Sequence, residues 1–70
     1  MPSTAIKDHD YDAALRQLAI TFVTGRIYVY FDVPLEVADS LEHASSKGAY
    51  FNRHIRDRYD FREITPAEFK

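Results

Sequence analysis

The chain has 70 residues, 46% of them hydrophobic, no cysteine and a net charge of −2 at pH 7. Its length suits a single domain, and the lack of cysteine excludes a disulfide framework and a thiolate nucleophile or metal ligand. No apolar run approaches the roughly 20 residues needed to cross a bilayer, and the sequence opens on no signal-peptide pattern. We therefore expect a bacterial, cytoplasmic protein with no membrane partner.

The first half of the chain predicts three β-strands. Residues 6–11 form a short strand crowded with charge, and charge at a sheet edge discourages edge-to-edge aggregation. Residues 18–23 and 26–31 alternate in character and flank the pair Thr24-Gly25. Alternation around such a pair predicts a β-hairpin, and we expect its turn to contain two residues.

A two-residue turn fixes which side chains share a face, because opposed residues lie on the same side of a sheet. It places Phe22 opposite Ile27, so that Tyr28 and Tyr30 lie on the other face, which we expect to remain open to water. The predicted apolar face of the hairpin consists of Leu18, Ile20, Phe22, Ile27, Val29 and Phe31.

Two helices and a last strand are predicted next. Pro34 suits the first turn of a helix, which we expect to end near residues 45–47 with Gly48 as a left-handed cap. A second helix, Ala49 to Asp57, would bury Phe51 and Ile55, which are four residues apart. Residues 59–64 alternate again and predict a strand. The first helix's buried stripe is Val37, Leu41 and Ala44.

The predicted fold is therefore α+β, with a small antiparallel sheet packed on one face by a helical hairpin. The sheet consists of the central hairpin plus edge strands. We expect one domain over residues 1–70 with its core at about 6–64, and fraying at residues 1–5 and 65–70.

Charge is unevenly distributed along the chain. Residues 1–42 carry three basic and seven acidic side chains, whereas residues 43–70 carry six basic and four acidic ones. Aromatic side chains on an open sheet face can stack bases, and a basic helix can contact phosphates. The candidate nucleic-acid-binding residues are Tyr28, Tyr30, Lys47, Arg53, Arg56, Arg58 and Arg62.

Structural roles are open alternatives for the same residues. Tyrosine is favoured in strands for its packing alone. The arginines could instead form solvent-exposed pairs with Asp57, Asp60 or Glu63, which contribute little energy.

No motif predicts catalysis, a metal or a cofactor. Residues 8–12 begin like a calcium loop, but Ala13 and Ala19 stand where that loop needs glycine and a bidentate glutamate. His9, His43 and His54 have no metal-ligand spacing, and no nucleophile, phosphate-loop or zinc-helix signature is present. We expect a protein that is not an enzyme and has no cofactor.

Several short motifs follow one another in order along the chain. They are Tyr11-Asp12, Phe22-x-x-Gly25, Tyr28-Val29-Tyr30, Val33-Pro34, Ala44-x-Ser46-x-Gly48, Tyr50-Phe51-Asn52, Ile55-Arg56 and Tyr59. Together, over about residues 6–64, they resemble the KTSC domain, a short module named for the C-terminus of some lysyl-tRNA synthetases. His9 departs from the pattern, which has an aliphatic residue there. The resemblance implies a stand-alone bacterial domain of uncharacterised function, for which RNA binding has been suggested, and supplies no catalytic residues.

The leading functional hypothesis is RNA or single-stranded nucleic-acid binding by the tyrosine face and the basic helix. The alternative is a protein-interaction or self-association module that uses the same face, since tyrosine and arginine also dominate protein interfaces. Salt separates the two, because phosphate contacts weaken steeply as salt rises. An enzyme would instead require a pocket with a perturbed titratable group.

Overall fold

A four-stranded antiparallel sheet and two helices make up the structure, a computed structural model that describes residues 5–65. The strands lie in the order β1-β2-β3-β4, which confirms the predicted α+β fold. No helix within residues 5–65 is long and apolar enough to span a membrane. Apart from Ala5 and Thr65, the segments predicted to fray lie outside the described residues. The elements are β1 (Ile6–Asp12), β2 (Gln17–Phe22), β3 (Ile27–Tyr30), α1 (Leu35–His43), α2 (Lys47–His54) and β4 (Phe61–Ile64).

The core lies between one face of the sheet and the two helices. Leu18 and Ile20 of β2 are completely buried, and Leu41 of α1 packs into the same cluster. Phe51 and Ile55 join it from α2 and its C-cap, which confirms the pair predicted from their four-residue spacing. Burial of each such side chain stabilises the fold by about 1.5–3 kcal/mol.

The β2–β3 turn contains three residues, Val23, Thr24 and Gly25. The Phe22 amide donates to the Arg26 carbonyl at 2.9 Å, and the Gly25 amide donates to the Phe22 carbonyl at 2.8 Å. Gly25 has φ +94°, a conformation that glycine adopts without strain. This is the three-residue hairpin loop in which a turn is followed by one left-handed residue.

The predicted two-residue turn is therefore wrong, and the hairpin register differs by one residue. Leu18 lies opposite Tyr30, and Ile20 lies opposite Tyr28. A shift of one residue exchanges the two faces of a strand, so the tyrosines of β3 face the helices. Tyr30 is only 3% exposed, and the predicted water-exposed tyrosine face does not exist in this form.

A β-bulge at Lys7 allows the start of β1 to pack against the same core. Ile6 lies opposite Phe22 and Asp8 opposite Thr21, so one extra residue is accommodated between the two pairs. Regular alternation would have turned Lys7 towards the helices. The bulge gives that place to Ile6, which packs against the core, because a bulged strand changes the direction of the side chains beyond it.

The link between the helices also differs from expectation. Ala44 ends α1 in an extended conformation, with φ −69° and ψ 138°, and Ser46 caps α2 by accepting a hydrogen bond from the Ala49 amide at 3.3 Å. Gly48 lies inside α2, so its predicted role as a left-handed cap is wrong. The serine side chain satisfies a backbone N–H at the start of α2, and the extended Ala44 ends α1 without a left-handed residue.

Candidate binding cleft

A cleft opens on the helix-covered side of the sheet, beside the C-terminal end of α2. Its volume is about 390 Å³, within the range of roughly 300–1,000 Å³ that is usual for ligand pockets. Five aromatic rings and four rim residues line it, and we call it the aromatic cleft. The rings are Phe22, Tyr28, Tyr30, Phe51 and Phe61, and the rim consists of Thr24, Arg26, Arg56 and Asp57.

Buried rings hold the floor of the aromatic cleft in place. The ring of Phe51 is 5.4 Å from the rings of both Phe22 and Tyr30, in edge-to-face geometry. Phe61 lies 5.3 Å from both Tyr28 and Tyr30. Aromatic pairs of this kind each contribute about 0.5–1.5 kcal/mol beyond their area burial, so the accessible rings rest on a rigid support.

Three rings of the cleft remain accessible to a ligand. Phe61 is 52% exposed, and Phe22 and Tyr28 are half-buried. The three form one continuous apolar surface through the Phe22–Tyr28 and Tyr28–Phe61 ring contacts. Continuous exposed apolar area is typical of binding grooves, whereas isolated exposed residues are not.

Charged groups stand on the rim of the cleft. Arg56 Nη1 donates to Asn52 Oδ1 at 2.9 Å, which orients the guanidinium and leaves its other donors available. Arg26 Nη1 lies 3.4 Å from Glu63 Oε1, but this pair is solvent-exposed and such pairs are weak. Within residues 5–65, no ion pair or hydrogen bond engages the Asp57 carboxylate.

The pKa of the Tyr30 hydroxyl depends on its burial and on these nearby charges. Burial raises the pKa of Tyr30 to about 12, with Tyr28 and Asp57 acting in the same direction and Arg56 opposing them. Asp57 and Arg56 therefore both act on the inner part of the cleft. At neutral pH Tyr30 keeps its proton and remains a hydrogen-bond donor.

Comparison with known proteins identifies this architecture. The family model of the KTSC domain matches residues 2–59. The chain belongs to the KTSC domain family. A crystal structure of a KTSC domain protein from Yersinia pestis has a TM-score of 0.81 and 32% identity, covering 91% of this chain and 90% of that one. The family and fold that the motifs indicated are thus confirmed.

Relatives carry this domain in proteins of different length. A protein from Tsukamurella paurometabola is 40% identical over 57 residues, which cover 81% of this chain and 85% of that protein. A lysine–tRNA ligase from Trichormus variabilis is 35% identical over 60 residues, which cover 86% of this chain. The chain spans 11% of the length of that ligase.

The KTSC domain brings some of the predicted site residues together and separates others. Tyr28, Tyr30 and Arg56 line the aromatic cleft, although Tyr30 is buried beneath it. Lys47 begins α2, at the end of the helix away from the cleft. Arg62 lies opposite Val29, on the sheet face that points away from the helices.

Arg53 and Arg58 are exposed, one in the last turn of α2 and the other just after it. Within the described residues neither they nor Arg62 form an ion pair. The expected alternative, pairing with nearby acids, is not seen in this part of the chain, where Glu63 instead pairs with Arg26.

Sequence reasoning missed most of the cleft. The sequence pattern predicts only core positions for Phe22 and Phe51. It indicates no role for Phe61 and Arg26 in a binding site, and for Asp57 it indicates only an ion pair with a nearby arginine. The one local signal was the Phe22-x-x-Gly25 spacing, which also fits a three-residue turn with its left-handed residue last.

Two of the three histidines, His43 and His54, make local contacts on the helices. His43 Nδ1 is 2.9 Å from the Asp39 carbonyl oxygen, one helical turn earlier. The His54 ring stacks at a tilt on Tyr50, with 4.5 Å between ring centroids. Across residues 5–65, no three histidine or carboxylate side chains converge to hold a metal ion.

Proposed function

We propose that this KTSC domain binds single-stranded nucleic acid, RNA in particular, in the aromatic cleft and without catalysis. The observation that carries the proposal is the continuous surface of Phe22, Tyr28 and Phe61, with Arg56 on its rim. Stacking of a base on an aromatic side chain contributes about 1–3 kcal/mol and tolerates any base, since each has a π-face.

Three arginines that form no ion pair within residues 5–65 would contact the phosphates of the ligand. Arg56 stands at the cleft, and Arg53 and Arg58 lie within three residues of it and are exposed. A strand whose bases stack in the cleft would bring its phosphates towards these cations, releasing counterions.

This interface differs from the one predicted from the sequence. Phe61 joins Tyr28 as a stacking ring, and Arg62 is left out because it lies on the opposite sheet face.

The relatives support RNA as the ligand class. Some of them are named lysine–tRNA ligase, so the same domain is found within proteins whose name includes an RNA. This is an association of domains, and it supports the choice of RNA over DNA without supplying a mechanism.

The test is an amide-shift titration by NMR with seven-nucleotide RNAs, at about 20 mM and about 200 mM salt. We expect shifts centred on Tyr28, Phe61 and residues 53–58 that fade at the higher salt. Phe61→Ala should weaken binding about 5- to 150-fold, the equivalent of one lost stacking contact. Leu15→Ala is the matched control, since Leu15 is 61% exposed and does not line the cleft. Shifts confined to the Arg62 face, or none with any RNA or DNA, would exclude the proposal.

A protein partner or a second copy of the chain is the alternative occupant. The observation in its favour is the apolar character of the cleft, where Phe61 is 52% exposed. Such an interface would respond little to salt, unlike contacts to phosphate. Sedimentation velocity over a range of concentrations detects self-association, and Phe61→Ala should then abolish it.

A further inference from the structure

The carboxylate of Asp57 is unexpected in a cleft that binds nucleic acid. It lies on the rim with Arg56, and within residues 5–65 it has no ion pair or hydrogen bond. Near a phosphate it would be repelled. Such a carboxylate can contribute to binding where the ligand presents hydrogen-bond donors to it.

Nucleobases differ in the donors they can present. An ionised carboxylate has two acceptor oxygens and no donor, and single-stranded bases are read along their Watson–Crick edges. Guanine presents two adjacent donor groups there, N1–H and N2–H₂, which match the two oxygens of one carboxylate. Adenine, cytosine and uracil each present a single donor group on that edge.

The neighbouring residue completes the match. Guanine carries the acceptor O6 beside N1–H, and Arg56 is a donor adjacent to Asp57 in the chain. Arginine has five N–H donors. One of them is used by Asn52, so the others suffice for O6 and for a phosphate oxygen.

We propose that the aromatic cleft selects guanine, which stacks on Phe61 and Tyr28 while Asp57 accepts hydrogen bonds from N1–H and N2–H₂. This inference rests on the proposed nucleic-acid binding and adds a base preference to it. Stacking alone distinguishes the bases only modestly, so a strong preference for guanine over adenine is assigned to Asp57.

The experiment compares RNA heptamers of uridine in which the central base is guanine, hypoxanthine, adenine or uracil, measured by fluorescence anisotropy. We expect guanine to bind about tenfold more tightly than adenine or uracil, the usual scale of a good bidentate contact. Hypoxanthine should fall between them, because it keeps N1–H but lacks the N2 amino group.

Asp57→Asn should lower the affinity for the guanine heptamer to that for the adenine heptamer, because the amide has only one acceptor oxygen for N1–H and N2–H₂. Asp60→Asn, which removes another exposed carboxylate outside the cleft, should keep the preference. Circular dichroism checks that both variants fold. If the wild type binds all heptamers equally, or if Asp57→Asn still prefers guanine, the guanine inference is wrong but RNA binding stands. If no heptamer binds, both proposals fail.

Discussion

Phe51 supports the core and the aromatic cleft together, so its removal gives the sharpest test of the fold. Its side chain is 2% exposed, and its ring contacts those of Phe22 and Tyr30. Replacing a buried phenylalanine by alanine costs about 3–5 kcal/mol. A protein of 70 residues has a total free energy of unfolding of about 4–10 kcal/mol. We therefore expect Phe51→Ala to lose about a third or more of the protein's stability.

Urea denaturation followed by circular dichroism measures this loss. Phe61→Ala is the matched control, because it removes the same ring from a site that is 52% exposed. We expect it to cost about 1–3 kcal/mol, from its two ring contacts with Tyr28 and Tyr30, and less than Phe51→Ala. If Phe51→Ala leaves no folded protein to measure, Phe51→Leu should cost about 1–3 kcal/mol, because it loses both ring contacts but keeps most of the buried apolar volume. Equal losses for the two alanine variants would show that α2 does not cover the sheet as described.

Three further predictions concern a hydroxyl, a turn and a helix cap. Since burial raises the pKa of Tyr30 to about 12 from its ordinary value near 10, the stability present below pH 10 should decline by about 2–3 kcal/mol as the pH rises to 12. The Tyr30→Phe variant should lack that part of the decline in urea titrations, and an identical decline would contradict the assignment. Gly25→Ala should cost about 1–2 kcal/mol from backbone strain alone, since a Cβ there meets nothing within 4 Å, whereas Val23→Ala in the same turn should change stability by less than about 0.5 kcal/mol. Ser46→Ala should cost about 1 kcal/mol and speed hydrogen exchange at the Ala49 amide, and unchanged exchange there would argue against the cap.

The fold was predictable because its signals are redundant. Two alternating segments around a glycine indicate a hairpin whichever turn closes it. Phe51 and Ile55 are four residues apart, and two apolar residues at that spacing on a helix predict a buried pair. The hairpin and the buried helical pair are therefore predicted correctly even when the register of one strand pair is assigned wrongly.

The register was not predictable from the same pattern. β3 carries Ile27 and Val29 on one side and Tyr28 and Tyr30 on the other, and either pair makes an acceptable core face because tyrosine has a large apolar body. The choice depended on whether Gly25 is the second or the third residue of the turn. One residue of turn length decided which pair faces the helices.

The cleft was less predictable than the fold for a related reason. Its lining comes from β2, β3, β4 and the end of α2, so it exists only once the register is set. The positive charge of Arg56 indicates a binding role, but Phe61 and Asp57 carry no local signal that separates them from ordinary surface residues. Both become candidate binding residues only through their positions in the folded domain, at the aromatic cleft.

The bulge at Lys7 has a consequence for how this chain tolerates changes in length. Ile6 and Asp8 already lie opposite consecutive residues of β2, so deletion of Lys7 would join them into a regular strand and leave every side chain of β1 on its present side. The same deletion elsewhere in β1 would turn part of the strand over. Position 7 is therefore a place where the chain can be shortened by one residue without rearranging the domain.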